Sequence, residues 1–200
     1  MHLILTILTI LSSFLANLET KTLQSDFTVT VSEEVNAPMN YPGSLTMHGR
    51  CFRLKMFTID AAYDGKTMFM YAPDIDELTL TNPTEQELVE ANPFLYAQAL
   101  VDVCHITERT ITKNEVNRAL AAENNQSPIT IITLTPKDQS IGINRFTLHV
   151  RNEDLMPLKA EIKEGKKTST LKMKEPKFVE TPQEYIIKPD KNTFINDMRL

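Results

Sequence analysis

The residues that most often carry chemistry in proteins are sparse in this sequence and lack the spacings of known sites. Cys51 and Cys104 lie far apart and form no C-x-x-C motif. Whether they pair in an oxidising compartment is left open, because nothing in the sequence brings them together. The histidines have no H-x-x-x-H spacing and no cysteine pair nearby; they are His2, His48, His105 and His149. The sequence therefore predicts no metal site.

Signatures of catalysis and of phosphate binding are also missing. The chain has no G-x-S-x-G motif, no glycine-rich phosphate loop and only five glycines. The carboxylates of Asp74 and Asp76 fall in a polar turn, where simple solvation explains them. We therefore expect a protein that is not an enzyme and that uses no cofactor.

Bulk composition indicates a globular, acidic protein. In 200 residues, 42% are apolar and 24% charged, and the formal net charge is −5. An acidic chain is not expected to bind nucleic acid, which requires clustered Lys and Arg. A local lysine cluster, interpreted as the solvated face of a hairpin, consists of Lys163, Lys166, Lys167, Lys172 and Lys174. Nine methionines are a high count, and methionine suits adaptable apolar surfaces as well as ordinary cores.

The first 20 residues permit two interpretations. The stretch MHLILTILTILSSFLAN has the apolar length of a secretory signal segment, although its start lacks Lys and Arg. The favoured alternative is an amphipathic helix, because polar residues recur every three or four positions. Its polar side is Thr6, Thr9, Ser13, Asn17 and Thr20, and its apolar side is Ile4, Ile7, Leu8, Leu11, Leu15 and Leu18.

Much of the remaining chain alternates between apolar and polar residues, as half-buried strands do. The stretch DFTVTV alternates strictly, and GSLTMHGRCFRLKMF does so twice around a turn at His48-Gly49. Asp64-Gly65 predicts a hairpin with a type I′ turn, which needs positive φ at both central residues. Further predicted strands are IDELTLT, ITIITLTP, RFTLHV, PLKAEIKE and TSTLKMKE, the last two joined at Gly165, with one or two short strands in the final 17 residues.

Two short helices interrupt the strands. Asn82 is predicted to cap a helix that begins at Pro83, with Glu85 completing a capping box. Asn92-Pro93 then separates it from a second helix. The polar stretch NEVNRALAAENNQSP predicts a loop or a turn of helix. The predicted fold class is α+β: a large curved antiparallel sheet, an unclosed half-barrel, with a few helices covering its concave face.

Several motifs, in order over most of the chain, resemble the LolA-like family of outer-membrane lipoprotein carriers, in the divergent form of Bacteroidetes-type bacteria. The apolar helix leading into TLQSDFTVTV is similar to that family's first helix and strand. GSLTMHGRCFRL is similar to its second hairpin, YDGKTMFMYAP to its Asp-Gly-Lys-Thr turn and aromatic strand, and NPF to its lid-helix start. LTPKDQSIGINRFTLHV resembles a later strand pair, and FINDMRL resembles the closing tail.

The resemblance implies a single domain over residues 1–200 that acts as a monomeric periplasmic carrier of acylated lipoproteins. Its implied partners are an inner-membrane release complex and an outer-membrane receptor. The alternative is a LolA-like domain of an envelope-stress regulator that senses lipid or peptide. Carriers of this family place an arginine in the turn after the second strand, where it pins the lid helices. Here that turn is shorter, and Arg50 is the nearest counterpart.

The resemblance and the strand alternation together predict a lipid-binding cavity. Its expected lining residues are Phe27, Met47, Phe52, Leu54, Met56, Met68, Met70, Phe94, Leu95, Phe146 and Leu148, and its expected lid residues are Leu88, Val89 and Leu100. The methionines would let the wall repack around different acyl chains. The alternative, that they fill a closed core, stays open at this point, since strand parity does not say which face of the sheet lines the cavity.

Overall fold

A twelve-stranded sheet dominates the protein. The structure is a computed structural model that describes residues 9–56, 58–111, 127–180 and 184–199. The strands are β1 Thr22–Ser32, β2 Met39–His48, β3 Cys51–Met56, β4 Ile59–Tyr63, β5 Met68–Ala72, β6 Glu77–Thr81, β7 Cys104–Ile111, β8 Ile129–Pro136, β9 Arg145–Arg151, β10 Pro157–Glu164, β11 Lys167–Val179 and β12 Phe194–Asp197. The predicted loop at NEVNRALAAENNQSP lies almost wholly outside the described residues.

The strand order divides the sheet into two antiparallel meanders, β1 to β6 and β7 to β11. The complete order is β12-β6-β5-β4-β3-β2-β1-β11-β10-β9-β8-β7. The meanders meet where β1 pairs with β11, and β12 adds to β6 in the parallel direction. Within the described ranges, the edge strands β12 and β7 do not pair, so the sheet stays open. The predicted unclosed half-barrel is confirmed.

Helix α1 (Thr9–Thr20) packs on the concave face of the sheet. Leu11, Phe14 and Leu18, spaced three and four positions apart, are at most 3% exposed. Thr9–Thr20 is thus a helix whose apolar side faces the sheet, and the residues before Thr9 lie outside the described part. Both ends of α1 are tied to the sheet. Glu108 Oε1 of β7 accepts from the Leu11 amide at 3.3 Å, and the Gly49 amide donates to the Leu18 carbonyl at 2.6 Å.

Helices α2 (Glu85–Ala91) and α3 (Pro93–Leu100) follow β6 as a kinked pair. The prediction that Asn82 caps α2 is wrong, since the N-cap is Thr84. Thr84 exchanges hydrogen bonds with Glu87 in a capping box, which satisfies two amides that the start of a helix leaves free. Asn92 ends α2 and caps α3, as the Asn92-Pro93 signal predicted. None of the described helices is long and apolar enough to cross a membrane.

The main core lies between the helices and the concave face. Alternate residues of β9 (Phe146, Leu148 and Val150) are fully buried there, beside Phe14 of α1 and Phe94 of α3, whose rings meet edge to face at 5.6 Å. The opposite face carries a smaller cluster near β4 to β6, to which Ile187 of the C-terminal segment contributes. The helices therefore cover one face of the sheet, and the C-terminal segment packs against part of the other.

One local prediction differs from the structure, and one strand was not predicted. The hairpin at Asp64-Gly65 exists, but only Gly65 has positive φ, so its turn is not type I′. Instead, Asp64 Oδ1 accepts from the amides of Lys66 and Thr67 at 2.9 and 2.7 Å, which makes a longer Asx-type loop. Strand β7 was not predicted, because its sequence CHITERTI has too few apolar residues to show the usual alternation.

Candidate functional site

An apolar cavity of about 510 Å³ lies between the concave face and the two short helices. Its floor comes from β1, β2, β3, β10 and β11, which contribute Phe27, Val29, Leu45, Leu54, Met56, Ala160, Ile162, Glu164, Ser169 and Leu171. Its cover comes from α2, α3 and the loop before β9, through Glu90, Ala91, Pro93, Tyr96, Ile141, Gly142 and Ile143. The volume falls within the range of about 300–1,000 Å³ that is usual for ligand pockets.

Phe27 and Gly43 shape the floor where β1 meets β2. The two residues are directly paired, and a Cβ added to Gly43 would lie 2.5 Å from Phe27 Cζ and 2.5 Å from the Lys55 carbonyl oxygen. Only a residue without a side chain fits this close approach. Gly43 thereby lets the Phe27 ring lie along the sheet as part of the cavity wall.

Polar groups of the cavity stand among its cover and at the end of β10. Glu90 and Glu164 are exposed, and the half-buried Tyr96 ring lies 6.4 Å from the ring of Phe146. Burial raises the pKa of the Tyr96 hydroxyl, and the nearby Glu164 carboxylate raises it further. The arrangement leaves an apolar interior with carboxylates where water enters, which suits an apolar chain better than an anion.

Asn92 fixes the kink between α2 and α3 to the sheet. It is 1% exposed, its Oδ1 accepts from the Phe94 amide at 2.9 Å, and its Nδ2 donates to the Met47 sulfur at 3.4 Å. A buried amide with both ends bonded holds a defined geometry, because leaving either group unpaired would cost free energy. Met47 serves here as a hydrogen-bond acceptor and does not line the cavity.

Arg50 lies beside the start of α2. Its Nη2 donates to Glu85 Oε2 at 2.5 Å, and the hydrogen bond to Glu85 raises the pKa of the guanidinium. Both side chains are largely exposed, so such a pair contributes roughly 0.2–1 kcal/mol. In the same turn, the Gly49 amide donates to the Leu18 carbonyl at the end of α1, so one short turn contacts two helices.

The predicted cavity residues fall into three groups. Phe27, Leu54 and Met56 line the cavity. Seven others pack in the closed core beside it, at most 5% exposed, and are not among its lining residues: Met47, Phe52, Met68, Phe94, Leu95, Phe146 and Leu148. Met70 is 45% exposed and lies outside the cavity. The seven buried residues thus fill a closed core in this structure, because they pack in one cluster with residues of α1 and α3.

The predicted lid residues occupy α2 and the end of α3. Leu88 and Leu100 are buried in the core, whereas Val89 is partly exposed and lines a groove with Arg50 and Glu85. Sequence reasoning missed several lining residues, among them Val29, Leu45, Tyr96, Ala160, Ile162 and Leu171. Val29 alternates with Phe27, and Ala160 with Ile162, so strand parity could have found these residues once Phe27 was chosen.

The described part of the chain offers little for catalysis. No three His, Cys, Asp or Glu residues in that part stand close enough to hold a metal ion. Both cysteines are free thiols, and burial raises the pKa of each, which disfavours the nucleophilic thiolate. His149 lies on the opposite face of the sheet from the cavity, and burial lowers its pKa to about 4.

Comparison with known proteins identifies the fold. No family model matches the sequence, and no curated protein matches it. An uncharacterized conserved protein from Thermus thermophilus superposes with a TM-score of 0.60 at 12% identity, covering 94% of this chain and 97% of that one. This similarity shows a common fold and no more.

Two further solved structures resemble the chain more loosely. A LolA superfamily protein from Nitrosomonas europaea has a TM-score of 0.38 at 12% identity, covering 86% of this chain and 94% of that one. The MucA/MucB complex of Pseudomonas aeruginosa gives 0.44 at 14% identity, covering 88% and 58%.

Proposed function

We propose that this protein is a periplasmic carrier that encloses acyl chains of lipoproteins and delivers them to the outer membrane. The observation that carries the proposal is the apolar cavity between the curved sheet and the short helices α2 and α3. Acyl chains need such a cover in water, where each exposed methylene group costs about 0.8 kcal/mol. Binding without chemistry also agrees with the free thiols and with the buried, neutral His149.

The cover is built in a way that would permit release. Helices of seven and eight residues are marginal on their own, so α2 and α3 depend on packing and on their caps. Asn92 holds their junction to Met47, while the exposed pair of Arg50 and Glu85 holds the start of α2 only weakly. We propose that Arg50 limits opening of this lid, and that the inner-membrane release complex and the outer-membrane receptor act on it.

The test is native mass spectrometry of protein purified from the periplasm without detergent. We expect co-purified acylated lipoprotein or lipid, and its amount should fall at least about tenfold in Leu54→Asp, because a carboxylate in the apolar wall must be desolvated or hydrated in place. Ile195→Asp is the matched control, since Ile195 is 50% exposed and pairs with Leu78 on the opposite face. Circular dichroism of both variants would verify folding.

The outcome also separates the proposal from its alternative. Co-purification of a polypeptide without acyl chains would favour the sensor domain of an envelope-stress regulator. Equal acyl-chain content in Leu54→Asp and the unmodified protein would contradict binding in this cavity.

A further inference from the structure

A strip of exposed apolar side chains lies on the concave face beyond the helices. Ile59 is 38% exposed, Met70 45% and Ile75 67%. They line a shallow groove of about 200 Å³ together with Ala72, Glu77 and Thr79. Large apolar residues exposed in a group more often mark a binding surface than isolated ones do.

Strand register makes this strip a continuation of the cavity floor. Leu45 pairs with Leu54, Leu54 with Ala61, and Ala61 with Met70, so these four side chains form one row on one face. In a parallel row, Met56 pairs with Ile59. Leu45, Leu54 and Met56 line the cavity, whereas Ile59 and Met70 lie outside it.

The helices cover only part of this apolar row on the concave face. Met68, two residues before Met70 and on the same side of β5, is 5% exposed and belongs to the core that the helices complete. Met70 therefore marks where the cover stops and the apolar floor continues. From Leu54 to Met70 the floor crosses two strand spacings, about 10 Å.

We propose that this strip, formed by Ile59, Met70 and Ile75, binds the part of a long acyl chain that the cavity leaves outside. The proposal rests on the proposed function of the cavity. The one charged residue lining the groove in the described part is Glu77, whose Oε1 accepts from Thr79 Oγ1 and Asn196 Nδ2. A carboxylate there repels an anionic head group, so the hydrocarbon end is the part that fits.

The experiment compares two acyl peptides that share one peptide sequence, one octanoylated and one palmitoylated. Their dissociation constants are measured by calorimetry for the unmodified protein, Met70→Asp and the control Ile195→Asp. In Met70→Asp, the palmitoyl peptide should bind about tenfold more weakly, the effect of leaving roughly two methylene groups in water. The octanoyl peptide should change less than about twofold, since it ends inside the cavity, and the control should change neither.

A second readout locates the chain end directly. A palmitoyl peptide with a diazirine at its terminal carbon should label β4 and β5 near Ile59 and Met70, whereas the octanoyl analogue should label cavity residues. Unchanged palmitoyl affinity in Met70→Asp, or an equal loss for both peptides, overturns the strip while leaving the cavity proposal intact. Failure of the unmodified protein to bind either peptide overturns both proposals.

Discussion

Replacing Asn92 by alanine should loosen the cover of the cavity and leave the sheet in place. The side chain is 1% exposed and lies at the junction of α2 and α3. Alanine removes the acceptor of the Phe94 amide and the donor to the Met47 sulfur at the same time. The change therefore acts on the point where both helices are bonded to each other and to β2.

The size of the effect is worked from the lost hydrogen bond to the Phe94 amide. Loss of an N-cap costs about 0.5–2 kcal/mol. A second estimate for the same hydrogen bond treats the Phe94 amide as a buried donor left without an acceptor. That situation costs about 1–3 kcal/mol. Taking about 2 kcal/mol for opening of α3, the open population should rise about thirtyfold.

Amide hydrogen exchange measures the population of the open state residue by residue when the helix closes faster than its open amides exchange. Amides of α3 from Tyr96 to Leu100 should exchange about thirtyfold faster in Asn92→Ala, while those of residues 129–135 in β8 should not change. Thr84→Ala is the matched control, because it removes an exposed cap and should affect only α2. Unchanged exchange in α3, or an equal increase in α3 and β8, would refute Asn92 as the anchor of the cover.

Two further predictions concern the core and the floor. Burial lowers the pKa of His149 from 6.5 to about 4, so the unfolded chain binds a proton more readily than the folded protein does. The free energy of unfolding should therefore fall by up to about 3 kcal/mol as the pH drops from 6.5 to 4. In urea unfolding across this range, the dependence should weaken in His149→Leu and persist in a variant of the exposed His105. An undiminished slope in His149→Leu would contradict the assignment. Gly43→Ala should cost about 1–3 kcal/mol by overpacking against Phe27 and the Lys55 carbonyl. Thermal unfolding should show partial recovery on adding Phe27→Leu, and no recovery would place the strain elsewhere.

Strand alternation was enough to predict most of the sheet and which residues of a strand share a face, but not which face carries the cavity. Phe27, Leu54 and Phe146 do share the concave face, as their parity indicated. Parity does not reveal where along that face the helices sit. Phe146 is buried in the core, Leu54 lines the cavity, and Met70 lies exposed outside both. This difference depends on the tertiary packing of α1 and α3.

The remaining errors come from signals that compete locally or act over long distances. In TNPTEQE, both Asn82 and Thr84 have a glutamate three residues later, so both fit a capping box. The helix that starts after Thr84 buries Leu88. β7 is an edge strand whose outward residues are polar or charged, so its hydrophobic pattern is weak. The parallel pairing of β12 with β6 joins residues more than a hundred positions apart, which no short-range pattern records.

The seam between β1 and β11 has a consequence for how the protein acquires its binding site. Each meander forms from neighbouring strands, whereas β1 and β11 must find each other across most of the chain, and pairings of such high contact order form slowly. The cavity straddles this seam, with Phe27 and Val29 on one side and Ser169 and Leu171 on the other. A newly made chain therefore has no cavity until its two halves have joined, and a ligand of the cavity can bind only to the completed fold.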